Sequence, residues 1–160
     1  MTNDNHALNL GKLIVNLHSL ELTLRLFLHS RPNARPTGLA YGVNIYAQPV
    51  GTALSESDIT SYASLRKLIN DVNVELTRRG IADQVDPDLN ELRDALAHGR
   101  VSANIDEDTM RLIKFTRPVN GSVEVSFNTL MSDEWFSEQR RRVYEAMQIV
   151  SRLIPGAELI

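Results

Sequence analysis

The stretch NLGKLIVNLHSLELTLRLFLHS, residues 9–30, decides the fold class. Its apolar residues recur every three or four positions, which is the spacing of one face of an α-helix, and a polar stripe separates them from the rest of the surface. A second apolar strip, Val15, Leu22 and Leu26, lies beyond that stripe. We therefore expect this helix to pack at the centre of a bundle or against a second copy of the chain.

Length and composition favour one folded domain over residues 1–160. The chain has 42% hydrophobic and 23% charged residues, which are ordinary globular values. Its formal charge of −3 excludes a protein that coats nucleic acid by overall charge, so any such contact must be local. The absence of cysteine excludes disulfides, thiolate metal sites and cysteine nucleophiles.

Charged and polar residues interrupt the longest apolar stretch, so we predict no membrane span and no membrane partner. The first six residues are polar and lack the basic n-region and the small-residue cleavage site of a signal peptide. We expect a cytoplasmic protein.

The middle of the chain predicts a long loop followed by a second helix. Three prolines and three glycines fall within residues 31–55, and Tyr41, Val43, Ile45 and Tyr46 suggest a short extended piece there. Ser55 and Asp58 resemble a capping box, which predicts a helix from Ser55 to the stop at Gly80.

The remaining sequence predicts two more helices with a β insert between them. Asp86 and Pro87 are typical of a helix start, and Gly99 of its end. The apolar period then becomes alternating over residues 101–128, where Asn120-Gly121 is typical of a hairpin turn. Ser132 is expected to cap a last helix that ends near residue 155.

The predicted fold is therefore mainly α, with four helices and a small antiparallel β-hairpin insert before the last helix. Trp135, near the start of that last helix, is expected in the core.

The chemistry-bearing segment is ELRDALAHGR, residues 91–100. Arg93 and His98 project about 140° apart on a regular helix, so a loosened last turn or arginine's length must bring them together. Asp94 and His98 are spaced i, i+4, where the carboxylate can orient the imidazole and favour its protonated form. Such a histidine can exchange a proton near neutral pH, and a guanidinium can hold a phosphate.

This segment resembles the R-x(4-6)-H signature of HEPN domains, the "higher eukaryotes and prokaryotes nucleotide-binding" helical bundles. The polar residue after the arginine and the AHG ending match the family's commoner form, and the motif lies on a late helix after two long ones. The loop at 31–55 and the insert at 101–128 match no particular subfamily. The resemblance implies a HEPN-like helical bundle of four or five helices.

The resemblance also implies metal-independent RNA cleavage in a homodimer, with no cofactor and two motif copies facing each other. His98 would act as general base or acid, Arg93 would stabilise the phosphorane, and Asp94 would orient one of them. The 2′-hydroxyl of RNA would be the nucleophile, leaving a 2′,3′-cyclic phosphate and a 5′-hydroxyl. A bacterial toxin or phage-defence role, with a cognate antitoxin as a further partner, belongs to the same expectation.

Two other functions stay open. The first is a catalytically inactive HEPN-like module that binds RNA, a nucleotide or a protein partner, and the second is a helical interaction protein with no nucleic-acid role. In the plainer interpretation of the motif, Asp94 simply holds His98 at a helix end, and Arg93 pairs with a neighbouring acid such as Glu91.

Three further arginines can be interpreted either as RNA-binding residues or as ordinary surface residues. Arg100, Arg140 and Arg141 are candidate RNA-binding residues, although a solvated helix face paired with Glu138 and Glu145 is the commoner arrangement.

Glu21, in the apolar sector of the first helix, either reaches Arg93 together with Arg25 or simply pairs with Arg25. His18 and His29 lie on nearly the same face, but too few ligands surround them for a metal site to be expected.

Overall fold

The computed structural model describes residues 3–40, 43–103 and 109–155. In these ranges the chain forms four α-helices, which are α1 (Asn3–His29), α2 (Leu65–Arg78), α3 (Leu89–His98) and α4 (Asp133–Ser151). Between α3 and α4 lies an antiparallel sheet in the order β1-β2-β3, formed by Arg100–Ser102, Arg111–Phe115 and Val125–Leu130. The predicted fold class, mainly α with a small antiparallel insert before the last helix, is confirmed.

The chain divides into two compact units. The first unit comprises Met1–Leu20 and Asp86–Ala146, and the second comprises Glu21–Val85 and Met147–Ile160. Helices α1 and α4 each contribute residues to both units. The motif at residues 91–100, the sheet and most of α4 belong to the first unit.

The core of the first unit is built from the apolar faces that the helical period predicts. Its buried side chains come from α1, α3, β2, α4 and the residue that follows β3, and they are Leu13, Leu17, Leu20, Leu89, Leu92, Ala95, Leu112, Met131, Phe136, Val143 and Ala146. His6 is also buried and packs edge-on against Phe136, with ring centroids 5.5 Å apart. Burial lowers the pKa of His6, so this histidine is neutral at physiological pH.

The second unit packs the C-terminal part of α1 with α2. Its buried side chains are Leu24, Phe27, Leu28, Leu65, Leu68, Ile69, Val72, Leu76, Val85 and Val150. As predicted, α2 stops at Gly80, where the amides of Gly80 and Ile81 donate to the carbonyls of Thr77 and Leu76.

The predicted start of α2 is wrong. Ser55 and Asp58 do not cap a helix, since α2 begins at Leu65 and the Ser64 side chain accepts from the Lys67 amide. The reason is Arg25, whose guanidinium donates to backbone carbonyls of Asp58, Ser61 and Ala63 and thereby holds this segment as a loop. Tyr62, which lies within the predicted helix, is fully exposed in this loop.

The loop at 31–55 also differs from expectation in detail. Its described part contains a short 3₁₀ turn, Ile45–Ala47, where the Asn44 side chain accepts from the Tyr46 amide, instead of an extended piece. Tyr41 lies outside the described residues. The Ser55 amide donates to the Thr37 carbonyl across the loop.

The predicted hairpin turn is present between β2 and β3. Asn120 and Gly121 have φ angles of 51° and 81°, and Val119 and Ser122 pair across them through two backbone hydrogen bonds. Two consecutive residues with positive φ form the tight turn that matches strand twist, and the Asn-Gly pair tolerates that conformation best. The insert thus has three strands rather than one hairpin.

Candidate functional site

Helix α3 carries the motif, and its start is fixed by acidic residues. The Asp86 carboxylate accepts a hydrogen bond from the Asp88 amide, and the Asp86 carbonyl accepts from Leu89. The regular helix begins at Leu89, two residues after the predicted start at Pro87. Buried Leu89, Leu92 and Ala95 then point one face of the helix into the core, which leaves the motif's polar side chains on the other faces.

The end of α3 is fixed by Gly99, as predicted. The Gly99 amide donates to the Ala95 carbonyl at 2.8 Å. A β-carbon at residue 99 would lie 2.3 Å from the Ala95 carbonyl oxygen, 2.7 Å from a Leu112 methyl carbon and 3.1 Å from the Ile113 carbonyl oxygen. Only glycine therefore allows β2 to approach the helix end this closely, and His98 is the last helical residue before that contact.

Arg93 extends from the middle of α3 into solvent. Its side chain is 45% exposed, and its ion pair with Asp94 is long, at 3.4 Å between Nη1 and Oδ1. An exposed pair at this separation holds the guanidinium weakly. Arg93 is therefore accessible to an incoming anion.

His98 is exposed at the C-terminal end of α3. Asp94, which was expected to orient it, forms no hydrogen bond with His98 in the described part of the chain. The Asp94 carboxylate faces Arg93 and Lys114 instead. The imidazole is accordingly free to approach a ligand, but the carboxylate does not fix its orientation.

Lys114 is a residue of this site that the sequence analysis missed. It lies on β2 with its side chain 17% exposed, and its Nζ is 3.5 Å from the Glu91 carboxylate and 3.9 Å from that of Asp94. One ammonium group thus bridges two acids that are three residues apart on α3. Nothing in the local sequence indicates this contact, because Lys114 is 20 residues from Asp94 and 23 residues from Glu91 along the chain.

Arg100 begins β1 directly after the motif. Its side chain is exposed, and the guanidinium carbon lies 5.4 Å from the centre of the Phe115 ring. No ion pair of Arg100 is formed with any residue in the described ranges. Of the three predicted RNA-binding arginines, Arg100 is therefore the one whose side chain forms neither an ion pair nor a hydrogen bond with a described residue, whereas Arg140 donates to neutral side chains and Arg141 pairs with glutamates.

The arginines of α4 are engaged within the protein. Arg141 forms ion pairs with Glu138 and Glu145, which is the helix-face arrangement left open above. Arg140 donates to the Asn9 side chain at 3.0 Å and to Ser137. Their role in RNA binding stays a prediction.

The third arginine, Arg142, joins the start of α3 to α4. It donates to the Asp86 carboxylate at 2.6 Å and to the side-chain oxygen of Gln139 at 2.7 Å. Burial acts to raise the pKa of Asp86, but hydrogen bonds from Arg142 and the Asp88 amide, together with the arginine's charge, leave it below its usual value.

Glu21 pairs with Arg25 at 2.8 Å, as in the plainer of the two interpretations. The Arg25 side chain is only 11% exposed, and all five of its N–H groups donate to Glu21 or to the 58–63 segment. Arg25 and Glu21 therefore stabilise the second unit. Within the described residues, neither Glu21 nor Arg25 contacts Arg93 as the alternative interpretation had predicted.

Each unit contains a cleft that was not foreseen from the sequence. The cleft of the first unit, about 370 Å³, is lined by Asp88, Glu91, Leu92, Phe127, Trp135, Gln139 and Arg142. The prediction that Trp135 lies in the core is wrong. Its side chain is half-buried, packs against the buried Phe136 and faces this cleft. The cleft of the second unit, about 450 Å³, has polar walls that include the Arg31–Asp58 ion pair.

Metal ligands are not gathered in the part of the chain that the structure describes. No group of three or more histidine or acidic side chains lies close enough together to hold an ion there. His18 and His29 belong to no such group. Within the same ranges, none of the helices combines the length and apolar character needed to cross a bilayer.

Comparison with known proteins found no matching family model, no matching curated protein and no matching solved structure. The interpretation of the site consequently rests on the chemistry of its own residues.

Proposed function

We propose that this protein is a metal-independent endoribonuclease of the toxin or defence type, active as a HEPN-like homodimer, with Arg93, Asp94 and His98 at its active site. The proposal rests on the resemblance of residues 91–100 to the HEPN motif. The observation that supports it best is the accessibility of Arg93 and His98 on one helix, since neither is buried or held by a strong ion pair.

The chemistry needs only groups that α3 presents and groups that RNA carries. The RNA 2′-hydroxyl attacks the adjacent phosphorus, the 2′-O–P bond forms, and the P–O5′ bond breaks. His98 takes the proton from the 2′-oxygen or gives one to the leaving 5′-oxygen, and two copies in a dimer provide one imidazole for each task. Arg93 stabilises the negative charge that develops on the phosphorane oxygens.

An apolar stripe on α1 supports the homodimer. Leu8, Val15 and Leu22 follow each other at seven-residue intervals, and all three are exposed, Val15 by 61%. A seven-residue apolar repeat is the pattern by which two helices pack along each other. A second copy of the chain is the partner we expect on this stripe, and Val15→Glu should then shift a dimer to a monomer in light scattering.

Incubation of the purified chain with RNA and DNA, each with and without EDTA, tests the activity. We expect cleavage of RNA alone, unaffected by EDTA, with cyclic-phosphate ends. His98→Ala and Arg93→Ala should abolish it, whereas His18→Ala and Arg66→Ala, which change the same residue types on α1 and α2, should not. Loss of cleavage in EDTA, cleavage of DNA, or full activity of His98→Ala would each contradict the proposal.

One observation favours the second candidate, an inactive HEPN-like module that binds RNA or another partner. Asp94 faces Arg93 and Lys114, which leaves His98 without an orienting carboxylate. A histidine that must find its orientation on binding is less suited to proton transfer. Retention of RNA without cleavage would support this candidate, and neither retention nor cleavage would point to a protein-interaction role.

A further inference from the structure

We infer that the cleft beside α3 in the first unit binds a guanine base of a single-stranded RNA. The inference rests on the proposed function in one respect, namely that RNA is the polymer that reaches α3. The cleft itself is defined by residues outside the motif, on the N-terminal half of α3, on β3 and on α4. Its walls combine aromatic rings with one amide donor and two carboxylates.

The aromatic walls suit a flat heterocycle. Phe127 and Trp135 are both half-buried and both line the cleft, so ring surface is available to a ligand. Unpaired bases in RNA are commonly held by stacking on aromatic side chains, which every base can do. A cleft of about 370 Å³ can admit one such base.

The amide of Gln139 provides a donor of fixed direction. Gln139 is only 7% exposed, yet it lines the cleft. Arg142 donates to the side-chain oxygen of Gln139 at 2.7 Å, which identifies that oxygen and leaves the nitrogen as the opposite end of the amide. This nitrogen donates to no residue in the described part of the chain. An acceptor on a ligand in the cleft can therefore bind this nitrogen without displacing a contact within the described protein.

The carboxylates of Asp88 and Glu91 provide acceptors. Lys114 partly neutralises Glu91, whereas the Asp88 carboxylate has neither an ion pair nor a hydrogen bond with a described residue. Because Arg142 is already paired with Asp86, the cleft presents negative rather than positive charge to a ligand. It is therefore suited to a base with several donors and not to a phosphate.

Guanine fits this set of groups best. It offers two adjacent donors, N1–H and the N2 amino group, to one carboxylate, and its O6 accepts from an amide such as that of Gln139. Adenine, cytosine and uracil each offer a single donor group on the corresponding edge. The cleft also lies next to the motif, since Glu91 and Asp94 contact the same ammonium of Lys114. A bound guanine would accordingly place its strand beside Arg93 and His98.

The single tryptophan of the chain makes this testable without an activity assay. Its one indole N–H gives one side-chain resonance in a ¹H–¹⁵N spectrum, which reports on Trp135 directly. We expect GMP to shift this resonance saturably, with an affinity at least tenfold above those of AMP, CMP and UMP. Equal shifts by all four nucleotides, or no saturable shift by GMP, would overturn the inference.

Two variants locate the contacts. Asp88→Asn removes a carboxylate that makes no bond within the described protein and should weaken GMP binding at least tenfold, whereas the charge-matched Glu124→Gln in the β2–β3 connection should not. Gln139→Met should also weaken it, with the exposed Gln148→Met of α4 as its control. Unchanged affinity in Asp88→Asn would contradict the assignment.

A last arm separates the two sources of guanine. A uridine decamer with one central guanine, added to the His98→Ala protein to prevent cleavage, should bind more tightly than the all-uridine decamer and compete with GMP. Binding of GMP without any response to the decamer would indicate a free nucleotide and overturn the RNA assignment. If the unmodified protein binds guanine but does not cleave RNA, the guanine site is supported and the proposed nuclease activity is wrong. If it cleaves RNA without binding guanine preferentially, the nuclease activity is supported and the guanine site is wrong.

Discussion

Arg93 of α3 and the three consecutive arginines of α4 belong to the same compact unit, yet their surroundings differ. Arg141 is clamped by two glutamates one turn away, and Arg142 donates to an acid 56 residues distant in sequence. Arg93 has only a long contact with the adjacent Asp94. Two arginines of the dense run are thus held in ion pairs, while the solitary Arg93 stays accessible, so charge density in the sequence does not indicate which arginines are available to a ligand.

The largest effect is expected at the accessible arginine. Arg93→Ala should lower the rate of RNA cleavage by about 100-fold or more, because charge stabilisation at the phosphorane is lost. Thermal unfolding should be unchanged, since the weak contact with Asp94 contributes little. A large fall in melting temperature together with the rate would show instead that Arg93 is a structural residue like those of α4.

The next effect concerns a fully paired acid of the second unit, Glu75 of α2. Hydrogen bonds from Arg78, opposed by burial and reinforced by Arg79, lower the pKa of Glu75 to about 2. Because the folded-state pKa is depressed, the stabilisation is present above the ordinary carboxyl value and is lost as pH falls towards 2. It should reach about 2 kcal/mol.

Unfolding in denaturant between pH 5 and pH 2.5 measures this term. Glu75→Gln should be less stable than the unmodified chain at pH 6 and should lose less stability on acidification. Equal pH slopes for the two proteins would contradict the pairing. The exposed Glu56→Gln is a suitable control.

A smaller effect is expected at the Arg142–Asp86 pair. Its loss should reduce the free energy of unfolding by about 1 kcal/mol, since both groups are partly exposed and solvent screens them. Arg142→Ala, Asp86→Ala and the double variant form a cycle whose coupling energy isolates the pair. A coupling energy of zero would mean that Arg142, like Arg93, does not stabilise the fold through its ion pair.

The smallest effect distinguishes two predicted RNA-binding residues. Arg100→Ala should weaken RNA binding a few-fold and reduce its salt dependence, because an accessible cation is lost. Arg141→Ala should have a smaller effect, because its charge is already neutralised by Glu138 and Glu145. Filter binding at several salt concentrations, with catalytically inactive protein, measures both. The reverse order would mean that RNA displaces the glutamates.

Features governed by neighbours in the chain were predictable. The helical period of α1, the stop at Gly99 and the Asn120-Gly121 turn all depend on residues a few positions apart. The Glu138–Arg141–Glu145 pairs follow the same rule. Each of these could be read from local spacing.

Features governed by distant contacts were not predictable. The start of α2 is set by Arg25, more than 30 residues earlier, and the surroundings of Asp94 by Lys114 on β2. Trp135 resembles a core residue in sequence because its helical position is apolar. Only its placement with Phe127 and Gln139 identifies a cleft.

The absence of a side chain at Gly99 allows the β insert to pack directly against the end of α3. Since Leu112 and Ile113 fill the space a larger residue would occupy, any displacement of β2 must carry the last turn of α3, and with it the imidazole, along. Removal of the insert to obtain a minimal helical protein would therefore change the position of His98, although every residue of the motif would still be present. The β insert should therefore be kept in any shortened version of the protein.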